Sequence, residues 1–199
     1  MENMKFKHFC FSVIFTDLKT LTSHLAPLIY DRSNLLDAIF KTRHQCYSND
    51  WFDPLPGAQL PEFFIGEIDT SDNDSKTVFL SNLADGWTTG ARKFSRLSKA
   101  KSLQIVLSAD DEQSAMYKYE VIESGETVRV VQLYKEGKWI FLEEGTALPY
   151  ENKECYLHKR KSDRLNNELI IKYLNAEGIN FDTLISQPLT GLSYKRLSW

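Results

Sequence analysis

Four residues of the types that bind zinc stand in two short groups. His44 and Cys46 are two positions apart, and Cys155 and His158 are three positions apart. Imidazole and thiolate are the usual ligands of tetrahedral zinc, and four is the number that a structural site needs. The spacing differs from the CxxC and HxxxH units of common zinc motifs. We therefore expect no bound metal. The alternative function is a small enzyme without a familiar motif, and a zinc enzyme that uses these four residues is one form of it.

The sequence contains no short motif that assembles a catalytic centre. The GxSxG turn of serine hydrolases, the Walker phosphate loop and the GxGxxG dinucleotide loop are all missing. A cysteine nucleophile needs a histidine base within hydrogen-bond reach. No local pattern selects such a pair among the three cysteines and four histidines. We therefore expect neither a catalytic residue nor a cofactor.

Carboxylates dominate the segment from 50 to 85, which holds eight of them against one cation, Lys76. Such a segment repels a phosphate backbone and attracts a basic protein surface. A second acidic group follows at 110–112. Together with one aromatic anchor, these groups supply the candidate contacts with a protein partner: Asp69, Asp72, Asp74, Asp110, Asp111, Glu112 and Trp51.

A basic segment lies between the two acidic groups. Arg92, Lys93, Arg96, Lys99 and Lys101 follow one another with no acid among them. A phosphate-binding helix carries such a face, which makes a nucleic-acid accessory protein the third function class. An ordinary solvated helix carries it more often, and we favour that interpretation. The acidic and basic segments that alternate along the chain could attract each other within the fold or form a polarised surface that steers a charged partner. The sequence does not distinguish these two arrangements.

Length and composition indicate a single globular domain. The chain has 199 residues, a formal net charge of −3, 42% apolar and 26% charged residues, which are close to globular averages. We expect one domain over residues 1–199, with 1–75 as a candidate N-terminal subdomain. Three scattered cysteines form no disulfide framework, and no run of 18 apolar residues occurs. Both features favour a cytoplasmic protein without a membrane span.

Hydrophobic patterns predict an α+β fold, a largely antiparallel sheet with helices packed on one face. Runs of alternating or continuous apolar residues predict strands at 5–15, 62–69, 76–82, 102–108, 115–123, 127–134 and 138–143. The last residues, 191–199, alternate enough to add an edge strand or an ordered extension.

Apolar residues at helical spacing, with capping residues before them, predict four helices. They are a helix capped by Thr16 or Asp17 that ends before Pro27, one from Ser33 through Phe40, one over 86–99 capped by Asp85, and one from Ser162 to Gly178.

The second half of the chain resembles a class of small bacterial α+β proteins over about residues 76–180. The resemblance is carried by Asp85-Gly86-Trp87, Arg129-Val130-Val131, Trp139-Ile140-Phe141, Gly145 with Leu148-Pro149-Tyr150-Glu151, and Arg164-Leu165. Such proteins resemble the immunity proteins that accompany bacterial polymorphic toxins. The resemblance implies a scaffold more than a site.

These observations lead to one preferred function. We expect a soluble intracellular protein-binding module, an immunity-type inhibitor that binds a bacterial toxin and occludes its active cleft. Acidic loops would steer the module towards a basic cleft and accelerate association. Neither nucleic acid nor membrane is expected as a partner.

Overall fold

The computed structural model describes residues 7–30, 38–45, 60, 62–68, 74–109 and 113–196. Within these ranges nine strands form one sheet, and every neighbouring pair in it is antiparallel. The strands are β1 His8–Ile14, β2 Ala38–Gln45, β3 Glu62–Ile68, β4 Lys76–Ser81, β5 Ser102–Ser108, β6 Met116–Glu123, β7 Glu126–Glu136, β8 Lys138–Gly145 and β9 Leu189–Arg196. Their order across the sheet is β2-β9-β3-β4-β1-β5-β6-β7-β8.

Five α-helices accompany the sheet in the described ranges. They are α1 Leu18–Tyr30, α2 Thr88–Ser98, α3 Lys153–Tyr156, α4 Asn167–Ala176 and α5 Phe181–Ser186, with a short 3-10 helix at Lys161–Asp163. None of these helices is long and apolar enough to cross a membrane.

The apolar core has two parts because successive strand residues point to opposite faces of the sheet. Phe9 and Phe11 of β1 pack with Phe181 and the apolar side of α4, whereas Ile14 packs with Phe94 of α2 and with α1. The α+β class and the antiparallel sheet are confirmed. The helices, expected on one face, lie on both: a wide sheet with apolar residues on each side must cover both sides.

The seven predicted strands are present with shifts of a few residues at their ends. The helix predicted from Ser33 through Phe40 is wrong at its end, since residues 38–45 form β2 and pair along their whole length with β9. Its residues 33–37 lie outside the described ranges. A short apolar run does not distinguish helix from strand, and pairing across the sheet overrides the local preference.

The first helix runs further than predicted. Asp17 caps it as expected, because its Oδ1 accepts a hydrogen bond of 2.7 Å from the backbone N of Thr20, and the bonds to Thr20 lower the pKa of that carboxyl. Pro27 does not end the helix, which continues to Tyr30. Pro27 lacks the backbone N–H that would donate within the helix. Only three helical residues follow it, so the missing hydrogen bond affects a short part of the helix.

Two other helix starts differ from the prediction. Trp87, with a left-handed backbone, precedes α2, and Asp85 instead accepts from the backbone N of Trp87 in the turn before it. Residues near Ser162 form the 3-10 helix, and α4 begins after Asn166, whose side chain accepts from the N of Leu169. Asparagine and aspartate bond to nearby backbone in turns as readily as in caps, so sequence alone misplaced both starts.

Residues 189–196 form β9, which lies inside the sheet between β2 and β3. The prediction of an edge strand is therefore wrong in position. Gly191 sits where a Cβ would lie 2.0 Å from the carbonyl oxygen of Ile65 on β3. The alternating pattern indicated a strand, but it contained no information on how many neighbours that strand has.

Candidate functional site

The predicted partner contacts fall mostly outside the described residues. Asp74 is described: it is exposed and lies two residues before β4. The others, Trp51, Asp69, Asp72, Asp110, Asp111 and Glu112, lie in the ranges that the structure leaves undescribed.

The strand ends next to the two acidic groups lie at opposite ends of the sheet. In β1, Ile14 is opposite Thr77, near the start of β4, whereas His8 is opposite Ser108, the last residue of β5. The six residue steps between His8 and Ile14 correspond to about 20 Å of strand. A partner that contacts residues next to both strand ends must therefore extend along the whole strand direction.

The basic segment is tied to carboxylates of the same chain. Three ion pairs join it to the sheet and to the end of α4: Arg92 with Glu120, Arg96 with Glu126, and Lys101 with Glu177. Lys93 and Lys99 are exposed. Three of the five cations therefore form ion pairs with carboxylates of the same chain, two in partly buried positions and one, Arg96, at the exposed surface.

Glu120 is the centre of a polar cluster under α2. Its side chain is 2% exposed, and its Oε1 accepts from Arg92 and, at 2.6 Å, from the hydroxyl of Thr127. Lys118 forms an ion pair with Oε2, but that oxygen accepts no well-aligned hydrogen bond within the described part of the chain. The Nζ of Lys118 also donates to Gln104 at 2.8 Å. This cluster joins α2 to the middle of the sheet.

Cys10 lies on the same side, buried against Gly86. Burial raises the pKa of its thiol to about 12. A reactive cysteine needs a low pKa and access to solvent. Cys10 is therefore a packing residue and not a nucleophile.

A second polar cluster is centred on Arg129 and Glu151, on the opposite face. Nε and Nη2 of Arg129 donate to the carboxylate of Glu151 at 3.0 and 2.6 Å, and Nη2 also donates to Glu143 at 2.9 Å. Nη1 donates to the carbonyls of Glu144 and Gly145. Burial opposes the charge of Arg129, but the bonds to Glu151 and Glu143 outweigh it and raise the pKa of the guanidinium.

Four tyrosines extend this cluster towards α4. Tyr156 donates to Glu151 at 3.0 Å, and its hydroxyl lies 2.8 Å from that of Tyr173. The hydroxyls of Tyr119 and Tyr150 are 2.7 Å apart, and Tyr150 donates in turn to Glu177. Burial, as the largest cause, raises the pKa of all four hydroxyls. Because each hydroxyl is bonded within the fold, the cluster holds α3 and α4 on the sheet.

The remaining candidate is an open sheet surface. Trp139 and Phe141 of β8 pack on the part of the core that also contains the apolar side of α4, so the alternate residues of β7 and β8 point the other way. α2 packs on that other side against β1, β5 and β6. The surface beyond it, here called the β7–β8 face, consists of Val130, Gln132, Tyr134, Ile140, Leu142 and Glu144.

The β7–β8 face is apolar and accessible. Leu142 is 47% exposed, and Ile140 and Tyr134, which are paired across the two strands, are half-buried. Glu144 stands exposed at one end, and Lys138 stands exposed at the other. Clustered apolar side chains with a charged rim are typical of protein-binding surfaces. The alternation in both strands was visible in the sequence, but which residues remain uncovered depends on the order of the strands.

A cavity of about 200 Å³ lies between the end of β3, α5 and the start of β9. Its polar side chains include Glu67, Asn180, Thr183 and Gln187. Asn180 is already used, because its Oδ1 accepts from the backbone N of Thr183. The cavity therefore offers no pair of groups arranged for acid–base chemistry.

The zinc alternative gains no support from the described side chains. His44 and Cys46 have no described side chain, Cys155 is half-buried, and Nδ1 of His158 is 3.1 Å from the carbonyl of Asp163. Within the described residues no three His, Cys, Asp or Glu side chains come together as a metal site.

Comparisons with known proteins return no match: no family model, no curated protein and no solved structure is similar to this chain.

Proposed function

We propose that the chain is a cytoplasmic protein-binding module of the immunity type, which binds a bacterial toxin and occludes its active cleft. The observation that carries this proposal is the β7–β8 face, where apolar side chains remain accessible beside α2. A stable apolar surface of this kind is retained where a partner covers it.

The charge distribution supports a protein partner over nucleic acid. The cations Arg92, Arg96 and Lys101 are engaged by carboxylates of the chain, whereas the segment 50–85 has eight carboxylates against one lysine. Such a molecule attracts a basic protein cleft and repels a phosphate backbone. Acidic loops accelerate the encounter, and apolar contacts then slow dissociation.

The first experiment identifies the partner and tests inhibition. Tagged protein is used to capture binding proteins from the native lysate at low and moderate salt, and the captured partner is purified and assayed for its own activity. We expect a 1:1 complex in which that activity is lost. A partner that keeps full activity in the complex contradicts the inhibitor proposal.

A matched pair of variants then tests the surface. Leu142→Lys places a charge in the middle of the β7–β8 face, and Leu157→Lys makes the same change at a leucine that is 82% exposed and follows α3. We expect Leu142→Lys to weaken binding of the purified partner at least about tenfold, as for loss of an interface anchor, and Leu157→Lys to leave it unchanged. Equal affinity of both variants would exclude the β7–β8 face as the interface.

A further inference from the structure

The outer edge of β8 is open. Among the strands of the described ranges, β8 is the last in the sheet and pairs with β7 alone. Within the described residues no backbone-to-backbone hydrogen bond from another element reaches it. It is eight residues long and contains no proline. Unpaired N–H and C=O groups along such an edge are a template for another strand.

The residues of β8 are complementary to their own reversed order. When two copies pair antiparallel with Phe141 at the twofold axis, Lys138 of each copy stands opposite Glu144 of the other, and Ile140 stands opposite Leu142. All four belong to the same side of the strand, because they alternate with Trp139 and Phe141, which pack on the core. Opposite charges and apolar pairs directly across antiparallel strands are both stabilising.

Neighbouring registers lack this complementarity. A shift that places Leu142 on the axis sets Ile140 opposite Glu144, and a shift that places Ile140 there sets Lys138 opposite Leu142. Each of these shifts exchanges an ion pair for a charge against an apolar side chain. On the side of the strand that carries Lys138 and Glu144, the charge pattern favours the register with Phe141 at the axis. On the other side, that register sets Trp139 opposite Glu143.

We propose that β8 pairs with β8 of a second copy of this chain in that register. The two nine-stranded sheets then continue into one, and the two β7–β8 faces lie side by side about the twofold axis. The dimer does not depend on a toxin partner, so the inference goes beyond the proposed function. An edge contact of this length is small, and we expect reversible association that rises with protein concentration.

Charge exchange at the two ends of β8 tests the register. In sedimentation experiments on the full chain across a wide concentration range, we expect wild-type protein to dimerise. Lys138→Glu places glutamate opposite Glu144 at both ends and should weaken the dimer roughly tenfold. Glu144→Lys should do the same with two lysines. An equimolar mixture of these variants should associate again, because each chain then meets the opposite charge.

Lys172→Glu, the same charge change on an exposed residue of α4, should dimerise like wild-type protein. A wild-type chain that stays monomeric at every concentration overturns the proposal, and so does a mixture that fails to associate. Partner binding is measured separately with Leu142→Lys and Leu157→Lys at concentrations where the protein is monomeric. Loss of the dimer with intact partner binding, or the reverse, therefore shows which of the two proposals fails.

Discussion

Two buried glutamates on opposite faces of the sheet are held in different ways. The side chain of Glu151 is fully buried, and both of its oxygens are bonded: Arg129 donates to each, Leu148 N donates to Oε1 and Tyr156 donates to Oε2. Glu120 is almost as buried. One of its oxygens is well bonded, and the other has an ion pair without an aligned hydrogen bond.

The partners differ in their exposure to water. Arg129 is 2% exposed, whereas Arg92 and Lys118, the partners of Glu120, are 30% and 17% exposed. A charge that loses its partner can be rehydrated only where water reaches it. The comparison teaches that equal burial of two carboxylates does not imply equal dependence on their partners.

Removal of Arg129 should have the largest effect on stability. Arg129→Met keeps most of the side-chain volume but leaves Glu151 charged and buried without a cation, and we expect a loss of about 3–5 kcal/mol in the free energy of unfolding. Urea denaturation at neutral pH measures it. The double variant Arg129→Met with Glu151→Leu should recover part of the loss, because no unpaired charge then remains. A single variant that loses less than about 1 kcal/mol would contradict the difference between the two clusters.

At the other cluster, removal of the carboxylate leaves two cations that water reaches, and this change should cost less. Glu120→Gln removes the negative charge between Arg92 and Lys118, which can both turn towards water, and we expect a loss of about 2 kcal/mol. The same denaturation measurement applies. Arg96→Ala is the control, since Arg96 and Glu126 are 63% and 77% exposed, and exposed pairs contribute about 0–1 kcal/mol. If Glu120→Gln destabilised the protein as much as Arg129→Met, the exposure to water of the group left without its partner would make no difference to stability.

Alkaline pH should increase the difference between the two clusters, because the four bonded tyrosines belong to the cluster of Arg129 and Glu151. Their folded pKa values are raised above the unfolded value of about 10. At higher pH the unfolded chain has therefore lost protons that the folded chain still holds, so stability is full below pH about 10 and falls above it. Each such tyrosine contributes a slope of at most about 1.4 kcal/mol per pH unit.

Tyr156→Phe removes one ionisable group from the cluster and should reduce that slope by one tyrosine's contribution. Denaturation of both proteins is measured at a series of pH values between about 9 and 11, a range that spans the ordinary tyrosine pKa. The change of unfolding free energy with pH gives the slope for each protein. Parallel curves for the two proteins would show that Tyr156 ionises equally in both states.

Local elements were predictable because their signals are local. Phe9, Phe11 and Val13 alternate with residues that face the other way, and they form one side of β1 in the structure. The stripe of Leu169, Ile170, Tyr173 and Leu174 likewise became the buried side of α4. The helix prediction was wrong at residues 38–45 because the structure there depends on a distant partner. That segment is a strand through its pairing with β9, more than 140 positions later in the chain.

The candidate site depends on contacts between residues that are distant in the sequence. The sequence by itself determined most of the elements, the acid-rich segments and the basic helix, because residue type and spacing are sufficient for them. Only the tertiary structure decided that Arg92 meets Glu120, that Arg129 meets Glu151, and that β8 is left at the edge. The physical reason is that ion pairing and exposure depend on distance in space, and the order of strands brings together or separates residues irrespective of their spacing along the chain.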